Sequence, residues 1–159
     1  MSNPYTASHA FPGLGLVFEI GTNASPISYT AVGEITKITP VALKAETADV
    51  TNVQSPQGVK EFIATLVDPG EAKLDLNYIP DDPGQIACFN ALTTAPRVRY
   101  PFQLTLPPAS VETSGNEPGF WNFMGLVTGF DVDIPKDKEA TLTITVKWSG
   151  LPTFTPEAA

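Results

Sequence analysis

The sequence predicts a mainly β fold, a β-sandwich or flattened barrel of about seven strands with one short α-helix. Three observations predict it. Thr141–Trp148 alternates apolar and polar residues without a break, as a strand with one wet face demands. Several other apolar runs of strand length are separated by turn-forming residues. Only one segment carries a helix start signal.

Taken in chain order, residues 15–20 and 29–38 fit strands of less regular pattern, and 61–67 fits a third. Asp68-Pro69-Gly70 follows, with proline presetting φ and glycine tolerating φ > 0, so a hairpin is expected between 61–67 and the next strand, 71–78. That strand places Ala72, Leu74, Leu76 and Tyr78 on one face and Glu71, Lys73, Asp75 and Asn77 on the other. The helix starts at Asp82, a good N-cap, with Pro83 at its first position and an expected apolar stripe of Ile86, Phe89 and Leu92; Pro96 ends it. Residues 97–106 put Val98, Tyr100, Phe102, Leu104 and Leu106 inward, with Pro101 hinting at an edge strand or bulge. In 120–132 and beyond, Val132 and Ile134 are expected to face the core and the aspartates to face water, with Pro135-Lys136-Asp137-Lys138 turning into the last strand.

Three segments stand outside that core: an N-terminal arm (1–12), a long loop (44–60) and a C-terminal tail (151–159), around a domain spanning 13–150. A connection as long as 44–60 is uncommon in a compact domain and is usually functional. Its Ala45, Ala48, Val50 and Val53, set among polar residues, suit contact with a neighbour's surface.

With 42% apolar and 16% charged residues, the 159-residue chain has the apolar area to fold, and its length suits one domain. Seventeen acids against nine bases leave a net charge of −8, which repels nucleic acid and anionic lipid, and no apolar run is long enough to span a membrane. Cys88 is the single cysteine, compatible with a reducing cytoplasm, and residues 1–5 do not read as a secretory signal.

Catalysis is poorly supported. Nucleophilic hydrolysis needs a general base, and the single histidine, His9, lies in the arm. One Cys and one His are too few for a structural zinc site. Asp131, Asp133, Asp137 and Glu139 resemble a calcium loop only loosely, because Pro135 replaces a ligand and Lys136 the turn glycine. Gly13-Leu14-Gly15 fails as a dinucleotide fingerprint, since Phe18 stands at the third glycine. No cofactor and no metal are expected. Trp121 and Trp148, with Tyr5, Tyr29, Tyr78 and Tyr100, keep open an alternative: a non-catalytic β-sandwich module that binds carbohydrate or a protein partner.

Three stretches, EFIATLVDPGE at 61–71, LDLNYIPDDPGQ at 74–85 and GLVTGFDVDIPKDKEA at 125–140, resemble the tail tube proteins of long, non-contractile-tailed bacteriophages, the group that includes the lambda major tail protein. The likeness covers roughly residues 13–150. It implies a structural virion protein, made in the bacterial host cytoplasm, whose hexameric rings stack into the hollow tail tube. Its partners would be further copies of itself, a tape measure protein, and tail-tip and terminator proteins, with DNA only as passing cargo and no membrane. The resemblance makes the arm and the long loop the reaching segments, so the contact candidates are Phe11, Ala45, Ala48, Val50 and Val53; polar strand faces suggest Glu34, Thr36, Gln103 and Thr105 for the lumen. A negative wall would let DNA slide, although Arg97 and Arg99 on one strand face warn that charge is uneven. The lambda protein has an added immunoglobulin-like C-terminal domain; little follows the last expected strand here, so external decoration is not expected.

Overall fold

The computed structural model describes residues 13–107 and 118–156; Tyr5, His9 and Phe11 lie outside the described residues. Its elements run β1 (Val17–Gly21), β2 (Tyr29–Ala31), β3 (Ile35–Thr39), β4 (Lys44–Asp49), a 3-10 turn (Pro56–Gly58), β5 (Phe62–Asp68), β6 (Glu71–Asn77), α1 (Pro83–Thr93), β7 (Tyr100–Thr105), β8 (Phe120–Asp133), β9 (Thr141–Trp148) and β10 (Thr153–Thr155).

The main sheet is antiparallel in the order β2-β1-β7-β8-β9-β6-β3, and β10 pairs with the start of β8. β2 and β3 end that order, yet only Val32, Gly33 and Glu34 separate them in sequence. So short a link reaches at most about 14 Å, whereas the outer strands of a flat sheet of this size stand roughly 29 Å apart. The sheet must therefore curl until its ends approach, which is the flattened barrel the sequence predicts.

Alternation builds the core. Phe18 and Ile20 of β1, Phe102 and Leu104 of β7, Phe123 and Val127 of β8, Leu142, Ile144, Val146 and Trp148 of β9, and Ala72, Leu74 and Leu76 of β6 are all buried. Trp148 sits at the centre: it stacks on Phe123 with ring centroids 4.3 Å apart, meets Phe102 edge-on at 5.4 Å, and donates its Nε1 proton to the Pro40 carbonyl at 2.8 Å.

Several expectations are corrected. Residues 29–38 are two strands, because the chain crosses from one sheet end to the other at Gly33 and Glu34, the latter with φ 61°. The long loop begins with a strand: β4 pairs with β5, and the two form a separate hairpin. Asp68-Pro69-Gly70 consequently joins strands of two different sheets and makes no hairpin of β5 with β6. Its turn chemistry holds nonetheless, since the Asp68 carboxylate accepts from the Gly70 amide at 2.9 Å and Gly70 has φ 77°. β7 is interior, so Pro101 marks no edge; it lies one residue past the last pair with β1, Ile20↔Phe102. β7 begins only at Tyr100, and Val98 is exposed. Val132 and Ile134 are exposed too, because β8 runs on beyond the body of the core. The C-terminal segment contributes β10, whose Phe154 packs on Trp121 at 4.7 Å.

Candidate assembly surface

The β4–β5 hairpin is the most unusual surface of the molecule. Its strands pair only with each other, and every residue of β5 is exposed. The register Ala45↔Val67, Thr47↔Ala64, Ala48↔Ile63 and Asp49↔Phe62 contains a bulge between Ala45 and Thr47. Cross-strand partners share a face, so Phe62 and Val67 lie on one face with Ala45, while Ile63 and Leu66 lie on the other with Ala48. Phe62, Ile63, Leu66 and Val67 are 57%, 52%, 75% and 49% exposed, so both faces are apolar and open.

The hairpin tip is held in shape by polar groups. The Asp49 carboxylate accepts from the Thr51 amide at 2.9 Å, the Thr51 hydroxyl accepts from the Glu61 amide at 2.9 Å, and the Ser55 hydroxyl donates to Glu61 Oε2 at 2.6 Å. Hydrogen bonding from Thr51, side chain first and backbone second, holds the Asp49 carboxyl below its ordinary pKa. This ordered tip presents Val53, which is fully exposed, with Val50 half-exposed. Ala45 is exposed and Ala48 half-buried. Four of the five proposed contact residues thus share one projecting element. None of the polar side chains that shape its tip was singled out from sequence, although Asp49, Asn52 and Ser55 are turn-forming types that signal such a structure.

A second apolar surface opens beside the helix. Asp82 caps α1 as predicted, accepting from the Gln85 amide at 3.0 Å and also from the Gly33 amide at 3.2 Å. The buried helical face, however, is Gly84, Gln85, Cys88 and Ala91; of the predicted stripe only Leu92 packs, half-buried, against the core, while Ile86 and Phe89 do not. Gly84 has no room for a side chain, since an added Cβ would overlap the Ala31 carbonyl oxygen and stand 2.5 Å from Val32 Cα. That close approach sets which side of the helix meets β2, and it leaves Ile86 and Phe89 44% and 47% exposed. Phe89 meets Phe130 edge-on at 5.4 Å, and a groove of about 450 Å³ runs between the helix, Ile79 and the projecting end of β8.

Gln85, only 2% exposed, locks this corner: its Oε1 accepts from the Ile79 amide at 3.0 Å, and its Nε2 donates to the Asn77 and Gly33 carbonyls at 2.9 and 3.3 Å. Sequence reading missed it, because a glutamine inside a helical segment ordinarily reads as solvent-facing.

The four lumen candidates do not form one cluster. Gln103 and Thr105 lie on the face of β7 opposite the buried Phe102 and Leu104, whereas Thr36 belongs to the irregular start of β3, donating to the Asp75 carbonyl at 3.0 Å. Glu34 sits in the β2–β3 crossing, where its carbonyl accepts from the Asn77 amide at 2.9 Å and its carboxylate from Asn77 Nδ2 at 3.3 Å. β8, β9 and β6 stand between β7 and β3. The polar face of these strands mixes Lys73, Lys147, Glu71, Asp75, Asp131 and Asp133 with Thr141, Thr143 and Thr145. Its one ion pair among the described residues is Lys147–Glu71 at 3.7 Å, between half-exposed side chains.

Among the described residues no group of three or more His, Cys, Asp or Glu side chains is placed to hold a metal ion, and no helix is long and apolar enough to cross a membrane. Cys88 is fully buried, and burial, with the nearby Asp82 charge second, pushes its thiol up to about 12. Trp121 lies between Phe123 and Phe154, with ring centroids 6.0 and 4.7 Å away.

Residues 17–155 match the family described as lambda phage tail tube protein, TTP. No curated protein matches the chain in sequence. Among solved structures, the tail of an empty gene transfer agent particle, refined with C6 symmetry, has TM-score 0.68 at 16% identity, covering 92% of this chain and 99% of that one. The SPP1 tail tube is similar with TM-score 0.66 at 10% identity over 93% of this chain and 81% of its own. The sheath/tube terminator of an extracellular contractile injection system has TM-score 0.67 at 10% identity, covering 94% and 99%.

Proposed function

We infer, from the premise that this chain belongs to the lambda phage tail tube protein family and is a tube-forming structural protein of the virion tail, that its copies close into six-membered rings and that the β4–β5 hairpin makes contacts between copies. The observation that carries the reading is the hairpin with two open apolar faces. A two-stranded hairpin is marginal in water by itself. Leaving Phe62, Ile63, Leu66 and Val67 open forgoes about 1 kcal/mol or more each at their half-exposure. Burial against neighbouring copies recovers that energy. The tip supports the same reading, because Asp49, Thr51, Ser55 and Glu61 order it before contact and so lower the entropy lost on docking.

In this reading Ala45, Ala48, Val50 and Val53 meet another copy, and Phe11 of the preceding segment joins them. The C6 symmetry of the similar gene transfer agent tail supports six copies per ring. The polar face of the main sheet lines the lumen, with Gln103 and Thr105 on it and Glu34 and Thr36 near its β3 margin. Tail-tip and terminator proteins meet the tube ends, a tape measure protein occupies the lumen during assembly, and DNA later passes through as cargo. The role is structural, without catalysis.

The test is the double variant Val50→Asp/Val53→Asp, which buries two charges if the tip is a contact. Negative-stain electron microscopy and sedimentation velocity should find rings or tubes for the native protein and folded, unstacked particles for the variant. Tubes of normal length from the variant would refute the hairpin assignment.

A further inference from the structure

We propose that the groove between α1 and the projecting end of β8 is the receptor for the hairpin of a second copy of this chain, with the Ile63–Leu66 face seated in it. The inference rests on the tube reading above and deepens it by naming both halves of one contact.

The two surfaces lie at opposite poles of one sheet. The hairpin leaves after Thr39, which pairs with Lys73, and returns into Glu71, the first residue of β6. The groove opens past the other end of β6: Tyr78 and Ile79 follow Asn77, while Phe130 and Val132 face Ile144 and Leu142 near the start of β9. The length of β6 separates the poles by roughly 20 Å. A projection at one pole and a recess at the other make a head-to-tail contact, which leaves a projection and a recess free at the two ends of any pair; because the poles lie at opposite ends of β6, repeating it stacks copies along the strand direction. Within one chain the hairpin cannot reach its own groove without leaving β6.

The helix supplies a second reason. A folded monomer gains most by turning Ile86 and Phe89 inward, yet α1 buries Gly84, Gln85, Cys88 and Ala91, half-buries Leu92 against the core, and leaves Ile86 and Phe89 outside. Gly84 against the Ala31 carbonyl fixes that choice. Ile79, Ile86, Phe89 and Val132, each 40–47% exposed, then form an apolar wall that no other described residue covers.

The area fits a contact that works only in an assembly. The open apolar side chains of the hairpin and the groove together amount to on the order of 700 Å², below the roughly 1,200 Å² at which stable pairs begin. A single contact therefore holds no dimer. Six such contacts between two rings act together, because forming the first makes the others intramolecular.

The test is cross-linking in assembled tubes. With Leu66→Cys and Phe89→Cys in one chain, a short bis-maleimide should join copies into a covalent ladder on denaturing gels. Each single variant should give monomers, and the double variant dispersed as free subunits should give no ladder. Cys88 is buried and protonated and stays silent. In parallel, Ile86→Asp and Phe89→Asp, each at a half-exposed position, should keep the subunit folded with a urea midpoint lowered by no more than about 1 M and cut the mass of sedimenting tubes at least tenfold. Tubes that form normally from both Asp variants and show no Leu66–Phe89 ladder overturn the proposal while leaving the tube reading standing. A native protein that forms neither rings nor tubes, alone or with purified tail tips, overturns both.

Discussion

Replacing Gln85 with leucine tests how the groove is held open. Leucine nearly matches the glutamine in size, so the change removes hydrogen bonds without leaving a large cavity. Three backbone groups lose their partners: the Ile79 amide and the carbonyls of Asn77 and Gly33. An orphaned group costs about 1–3 kcal/mol; taking the lower figure, because these groups lie near the mouth of the groove where water can approach, the loss is about 3 kcal/mol. The apolar leucine recovers about 1 kcal/mol by burial. The net expectation is a destabilisation of ~2 kcal/mol, and the orphaned bonds win. With an m-value on the order of 2 kcal/mol/M, the urea midpoint falls by about 1 M at unchanged slope. Gln85→Glu should fall further, since a carboxylate cannot donate to either carbonyl and would be a buried charge. A Gln85→Leu midpoint within ~0.2 M of the native value would refute the account of this side chain as a fully bonded strut.

Two further outcomes follow from burial and close approach. Gly84→Ala forces α1 away from β2 and should cost about 1–3 kcal/mol, lowering the thermal midpoint by at least ~3 °C; an unchanged midpoint would mean the helix stands off further than the geometry has it. Cys88 should resist thiol reagents in the folded protein. Its folded pKa of about 12 exceeds the ordinary 9.0, so the unfolded chain releases this proton first, and stability is fully present below pH 9 and declines as pH rises towards 12. The decline is about 1.4 kcal/mol for each pH unit in that window, and its absence in Cys88→Ala, measured by urea titration at pH 8 and 10.5, isolates this group.

The strands that sequence located best are those with one wet face. Thr141–Trp148 and 71–78 show period two because one side packs on the core and the other meets water. The run Phe62–Asp68 has no such alternation, and an apolar run without alternation reads as a core strand. Its two apolar faces are open within the subunit, and a sequence carries no mark that separates burial inside a chain from burial between chains. β4 was illegible for a different reason: Lys44–Asp49 is rich in residues of weak strand propensity and forms its ladder through β5. In the helix, the cap at Asp82 was legible because it is local chemistry, whereas the buried face was not. Which face turns inward is fixed by Gly84 against the Ala31 carbonyl, a contact with a strand some fifty residues away in the chain. Gln85 was hidden likewise, since its acceptors and donor meet only after the β2–β3 crossing has brought Gly33 to the helix.

The two faces of the hairpin have a consequence for the order of assembly. One groove covers one face, so seating Ile63 and Leu66 on α1 of a second copy leaves Phe62 and Val67 on the opposite side in water. Closing that side requires a third copy beside the second. On the proposed contact, two copies placed to receive one hairpin from both sides would be neighbours in a single ring, and a lone receptor subunit would offer only half the contact. A preformed ring is then the better acceptor for an incoming subunit or ring. Isolated subunits, each carrying a net charge of −8, repel one another and gain too little from half a contact to pair. On the proposed contact, the two-faced hairpin would favour growth on an existing ring over association of free copies and make nucleation the slow step of tube formation.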